Sequence, residues 1–528
     1  MSERSLLIRG ANIWTGDRRR PFADALLLSK GRIISVGTAN DVSTHPQAKD
    51  ARELCLEGET VIPGMTDAHL HLMFHARQST GISLLDTRSI GEALELLKKA
   101  AKVANPGDWI HGVRYNDTFW EENRPPTRHE LDAAVRDHPL LLTRVCTHIQ
   151  VANSAALAAA GIPEEDWGDG LLLEKKGDPV IKTMERWRLG SGRELDLAEK
   201  ACREFARYGV TELHTCSAPE YGALDELSVY QRLRIEGRLP VRVVLYEERM
   251  PALNFMSGLG DDWVRYGGFK LFLDGSLGGR TAALSSPYAD DPGNRGILNH
   301  EWDQLANTVR EAHNRGLQML IHAIGDEALD QAIGAISLAY GDGSCLCALP
   351  HRINHVMICR PDQVSKLKDL GVVLDVQPAF VPSEIEMATE RLGEERLSWA
   401  YPWRTFVDSG LVVTGSSDCP VDPPNPWRGI WGAVCRVNDR GDPRGGWLPE
   451  QRLTLAQALE LWTVNGALAA GEGGRRGRIA PGFLADLAVL DRDIFQADPM
   501  GLKNVEALLT LAGGKITHGE ILSDWDRI

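Results

Sequence analysis

Through the middle of this 528-residue chain, short apolar runs that end in polar residues recur. They read "HPLLLTRVCTH", "GVTELHTCS", "LPVRVVLYEE", "GGFKLFLDGS", "GLQMLIHAIGD", "HRINHVMIC", "GVVLDVQPAF" and "GLVVTGSSD". Segments with helical spacing of apolar and charged residues separate most of them, for example "HEWDQLANTVREAHNRG" and "RPDQVSKLKDLG". Strands apolar on both faces and alternating with helices belong to parallel sheets covered on both sides. The number of units points to an α/β fold, a (β/α)₈ TIM barrel, with a doubly wound sheet as the alternative. In such barrels functional groups gather at the C-terminal ends of the strands. The polar residues that close the runs are therefore the ones to weigh.

Both ends of the chain have a different texture. Residues 1–60 hold "SLLIRGANIWTG" and "DALLLSKGRIISVGT", two apolar runs around a Lys-Gly turn. Residues 471–528 hold "GFLADLAVLDRDI" and "VEALLTLAGGKITHGEIL", with a Gly-Gly-Lys turn. Short strands at both ends predict a small composite β-sandwich flanking a barrel over 61–470. Residues around 100–200 carry Trp, Pro, Gly and charge without clean periodicity and predict an insertion near the barrel mouth.

Composition limits the partners. The formal net charge is −15 and there is no basic stripe, which argues against nucleic acid. No apolar run is long enough to span a membrane. The N-terminal residues lack a secretory pattern, so the expectation is a cytoplasmic protein. The nine cysteines are not spaced as a disulfide framework, and "CLC" at 345–347 has no second pair to make a metal clip.

The strand ends hold the chemistry. In "VIPGMTDAHLHL", His69 and His71 stand one residue apart, so on a strand they share a face. Such a pair is packing, chance or half of a metal site. "MLIHAIGD" and "RINHVMI" place His322 and His355 at two further strand ends. Either alone reads as a satisfied buried histidine. Asp418, after "VVTGSS", can equally cap a helix. Together, four histidines and an aspartate at separate strand ends would converge at one mouth. Imidazole and carboxylate suit zinc and its first-row neighbours. Lys270 in "GGFKLFLDGS" is costly if buried and charged. Its amine either reaches solvent or a carboxylate such as Asp274, or has added carbon dioxide to become a bridging carbamate.

Taken with "DGSLGGRTAALSSPYADDP", "VQPAF", "GSSDCPVDPPNP" and "GRIAPGFLADLAVLD", these segments run in order from residue 61 to about 491. In this the chain resembles the metal-dependent amidohydrolase superfamily, in its amidohydrolase-3 branch of N-substituted formamide deformylase-like proteins. The resemblance implies a two-metal site holding divalent cations, zinc foremost. His69, His71 and Asp418 would hold one ion, His322 and His355 the other, and carboxylated Lys270 would bridge them. It implies hydrolysis of a non-peptide C–N bond in a small N-substituted amide or formamide, with Asp418 as proton shuttle. Esters, lactones, cyclic amides and deamination are alternatives at the same site, and a non-catalytic binding protein is a third reading. By motif position His148, His214 and Arg280 are candidate substrate contacts. Asn354 stands where many relatives carry Glu. The expected partner is a small-molecule substrate, with a homo-oligomer left open.

Overall fold

The computed structural model describes residues 5–145, 149–190, 194–217, 226–341 and 347–520. The chain divides into two compact units, the first holding residues 1–71, 202–217 and 233–528, the second residues 72–201 and 218–232.

The first unit contains an eight-stranded sheet in which every neighbouring pair is parallel. Its strands are β1 (Met65–Leu70), β2 (Val210–Ser217), β3 (Arg242–Glu247), β4 (Val264–Phe272), β5 (Gln318–Ala323), β6 (Arg352–His355), β7 (Val373–Val376) and β8 (Val412–Gly415). They follow one another in space in chain order, β1 and β8 lying at the two ends of the path. The ends meet where Asp418 N donates to His69 O at 2.9 Å and His71 N donates to Cys419 O at 2.8 Å. The result is a nearly closed TIM-barrel-like sheet. Helices Trp302–Asn314, Asp326–Gly341 and Pro361–Leu370 fall between successive strands, as their periodicity predicts.

The same unit holds a second eight-stranded sheet built from both ends of the chain. Thr60–Pro63 pairs with Leu6–Trp14 on one side and Leu487–Leu490 on the other, which joins the N- and C-terminal strands. Lys30 and Gly31 both have positive φ (50° and 73°), as a two-residue hairpin turn requires. Ile8, Ile13, Leu26, Leu28, Leu487 and Leu509 form part of its core. The buried Arg242–Asp486 pair, 2.8 Å apart, ties this sheet to β3 of the barrel.

The second unit carries its own mixed five-stranded sheet, in the order Leu171–Leu173, Ile149–Ala152, Leu140–Arg144, Ile110–Tyr115, Ile82–Ser83. This corrects one expectation. The run "HPLLLTRVCTH" supplies Leu140–Arg144 to this sheet and not to the barrel, whose eight strands are completed instead by Met65–Leu70. Leu140, Leu141 and Leu142 are fully buried, so the run has the apolar signature of a barrel strand while packing in another core. Among the described residues no helix is long and apolar enough to cross a membrane.

Candidate metal centre

Alternation along parallel strands sorts the side chains inside the barrel into layers. Glu212, His214 and Cys216 share one face of β2; Lys270 and Phe272 share one on β4; Arg352 and Asn354 share one on β6. The last member of each series stands nearest the C-terminal mouth.

At that mouth the structure gathers His69, His71, Lys270, His322, His355 and Asp418. Ligand atoms of His69, His355 and Asp418 all lie within 4.8 Å of one another. Asp418 Oδ1 is 3.2 Å from His69 Nε2 and 3.6 Å from His71 Nε2. The His322 and His355 rings are 4.3 Å apart between centroids. Lys270 Nζ lies 3.5 Å from His69 Nε2. Two of these residues depart from strand geometry to get there. His355 directly follows the inward-facing Asn354 and reaches the cluster with φ 73°; Asp418 has φ 54°. A non-glycine residue held in the left-handed region costs about 1–3 kcal/mol, and such strain gathers at functional sites.

The electrostatics favour neutral ligands. Burial depresses the pKa of His69 and His355 well below the usual imidazole value and lowers that of His71 to about 4. Burial also lowers Lys270, and it raises Asp67, beneath the cluster, to about 7. Three of the four imidazoles have one nitrogen held by protein. His355 Nδ1 donates to Gln377 Oε1 at 2.8 Å, and His322 Nε2 donates to Gly275 O at 3.0 Å with Asp274 Oδ1 at 3.3 Å. His69 Nδ1 faces Cys216 Sγ at 3.5 Å. The opposite nitrogen of each ring keeps its lone pair. Neutral imidazoles fixed in this way, converging on a carboxylate, fit a divalent cation.

Other candidates fall elsewhere. His214 is fully buried one layer down, where Nδ1 accepts from Arg352 at 3.0 Å and Nε2 donates to Glu212 at 3.0 Å. With both ring nitrogens engaged it is part of the barrel's interior, which corrects the expectation of a substrate contact. Arg280 pairs with Asp290 of its own loop at 2.8 Å and braces that loop. Asp274 accepts from the main-chain N–H of Ala283, Ile324 and Gly325, so it too is a brace. Lys270 donates not to Asp274 but to Asn354 Oδ1, at 2.7 Å. His148 and Cys345 lie outside the described residues. Sequence reasoning passed over Cys216 and Gln377. The signal was available: each stands two residues beyond an inward-facing polar residue, His214 and Asp375, on the same strand or just past its end.

The model of the amidohydrolase family matches residues 53–518. The putative amidohydrolase YtcJ of Bacillus subtilis (strain 168) is 30% identical, over 95% of this chain and 96% of its own length. The N-substituted formamide deformylase of Arthrobacter pascens is 28% identical, over 98% of each chain. Among solved structures, an uncharacterized metal-dependent hydrolase from Pyrococcus horikoshii OT3 superposes with a TM-score of 0.80 at 29% identity, covering 94% of this chain and 98% of the other.

Proposed function

The chain belongs to the amidohydrolase family and is a hydrolase, and from that premise we propose that it cleaves the C–N bond of a small N-substituted amide or formamide at a two-cation centre. The observation that carries this reading is the convergence of His69, His355 and Asp418, with their ligand atoms within 4.8 Å of one another. The formamide deformylase of Arthrobacter pascens, similar over nearly the whole chain, supports the choice of bond.

In this reading His69, His71 and Asp418 hold one cation and His322 and His355 the other, zinc suiting the nitrogen-rich set. Lys270, as its carbamate, would be a further ligand of the cations. Its burial, which disfavours the ammonium, keeps available the neutral amine that adds carbon dioxide. Bound there, divalent cations lower the pKa of a water and polarise the substrate carbonyl. Asp418 accepts the proton released by the attacking water. It then delivers that proton to the departing nitrogen, which leaves as a neutral amine. His69, His71 and His355 stay neutral, because burial depresses each of these imidazoles.

The test pairs metal analysis with mutation. The metal-loaded protein is expected to hold close to two divalent ions per chain and to turn over members of an N-formyl, N-acyl and cyclic amide panel. Asp418→Asn is expected to cut turnover by at least about 10³-fold, loss of the proton acceptor combining with a weakened ligand. Full activity in that variant would remove the shuttle. Turnover of esters or lactones with none of amides would replace the bond and leave the site.

A further inference from the structure

Cys216 ends the series Glu212, His214, Cys216 on β2 and is the member at the mouth. Its Sγ lies 3.5 Å from Nδ1 of His69. The ring of His71 neighbours that of His69, with 5.3 Å between centroids. The Nε2 atoms of both rings point the other way, to Asp418 at 3.2 and 3.6 Å. Cys216 therefore backs His69 on the side away from the ligand cluster.

A neutral imidazole carries one proton, and the nitrogen that keeps the lone pair is the one that ligates. For Nε2 of His69 to face a cation, Nδ1 must carry the proton and donate it. At Cys216, which is 1% exposed, the sulfur is the group within reach of that N–H. We infer that Cys216 is the positioning residue of His69, its sulfur fixing the tautomer that turns Nε2 to the cluster. The inference rests on reading the cluster as a metal centre. It assigns the sulfur a role distinct from that of a ligand.

Two substitutions separate hydrogen bonding from packing. Cys216→Val fills the volume and cannot accept a proton; Cys216→Ser offers an oxygen acceptor on a similar stem. Zinc affinity is measured by competition with a chromophoric chelator, and the visible spectrum is recorded after cobalt(II) replaces zinc. Cys216→Val is expected to weaken zinc roughly 10–100-fold, the usual cost of removing a partner of a ligating histidine, and to shift the cobalt bands. Cys216→Ser should recover at least part of both. If wild type binds zinc and Cys216→Val binds it equally with an unchanged cobalt spectrum, the inference fails while the metal-centre reading stands. It also fails if Val and Ser lose affinity alike. Wild-type protein that binds no divalent cation overturns both readings.

Discussion

Two sets of polar side chains occupy the inside of one barrel, a single strand step apart, and they are built on opposite rules. In the deeper set, Arg352 uses all five of its N–H donors. Nε and Nη2 bond Asp375, Nη2 also bonds Ala68 O, and Nη1 bonds His214 and Tyr246. Asp375 accepts from Thr414 and Asn354 as well. Beyond His214, Glu212 pairs with Arg476. Around Arg352, donors meet acceptors. At the mouth, the nitrogens of His69 and His71 face a carboxylate oxygen with no proton to share when the rings are neutral. Lone pairs converge there, beside the Lys270 amine 3.5 Å from His69 Nε2. The comparison teaches that a buried histidine is read by its partners: His214 joins a donor to an acceptor, and His69 turns its Nε2 to a carboxylate.

The deeper set should therefore control stability and the mouth should control metal. The largest effect expected from breaking this contrast is at Arg352. Arg352→Met leaves Asp375, itself fully buried, without its counter-charge, and should cost about 3–5 kcal/mol in urea unfolding of the metal-free protein. Adding Asp375→Leu should return much of that loss, because the orphaned carboxylate goes too. A single-variant cost below about 1 kcal/mol would mean that the network is not the barrel's internal brace.

His214→Gln and His355→Gln test the contrast on one residue type. His214→Gln breaks one of two buried hydrogen bonds and should cost about 1–3 kcal/mol, with zinc content unchanged. His355→Gln should move the metal-free unfolding midpoint less and lower zinc affinity by at least about tenfold. Equal zinc content in the two variants, measured after dialysis, would erase the distinction between the layers.

Much of this arrangement was legible in the sequence, for physical reasons that also explain the misses. His69, His71, Lys270, His322, His355 and Asp418 stand at or near the ends of apolar runs, and parallel strands bring such ends to one mouth. His214 ends such a run too, but two residues deeper, and residue type alone cannot tell a layer facing the mouth from one facing Arg352. Cys216 was passed over because a thiol is read as core unless its neighbour is known. The run at Leu140–Arg144 was misplaced because full burial looks the same in either sheet. The sheet shared by the two termini was foreseen from texture; its register, through Thr60–Pro63, needs long-range pairing that local patterning does not encode.

The smallest expected effect concerns protons. Burial lowers His71 to about 4 in the folded chain, against about 6.5 for an unperturbed imidazole. Between those values the unfolded chain binds the extra proton, so this residue's contribution to stability falls as pH falls through that window. Asp67 acts in the opposite sense. Its folded value is raised to about 7, so its carboxyl holds a proton more tightly in the folded state and its contribution is lost as pH rises from about 4 to 7. Removing one of the two should expose the other. In the metal-free protein, His71→Asn should reduce the loss of stability between pH 7.5 and pH 6 by about 1 kcal/mol, read from urea midpoints at the two pH values. His214→Gln gives the matched control in the deeper layer, where burial also depresses the imidazole. There the same flattening should come with intact zinc binding, whereas at His71 it should come with zinc lost. An unchanged pH slope in His71→Asn would mean that His71 titrates alike in the folded and unfolded metal-free chain, and burial would not be what keeps that imidazole neutral.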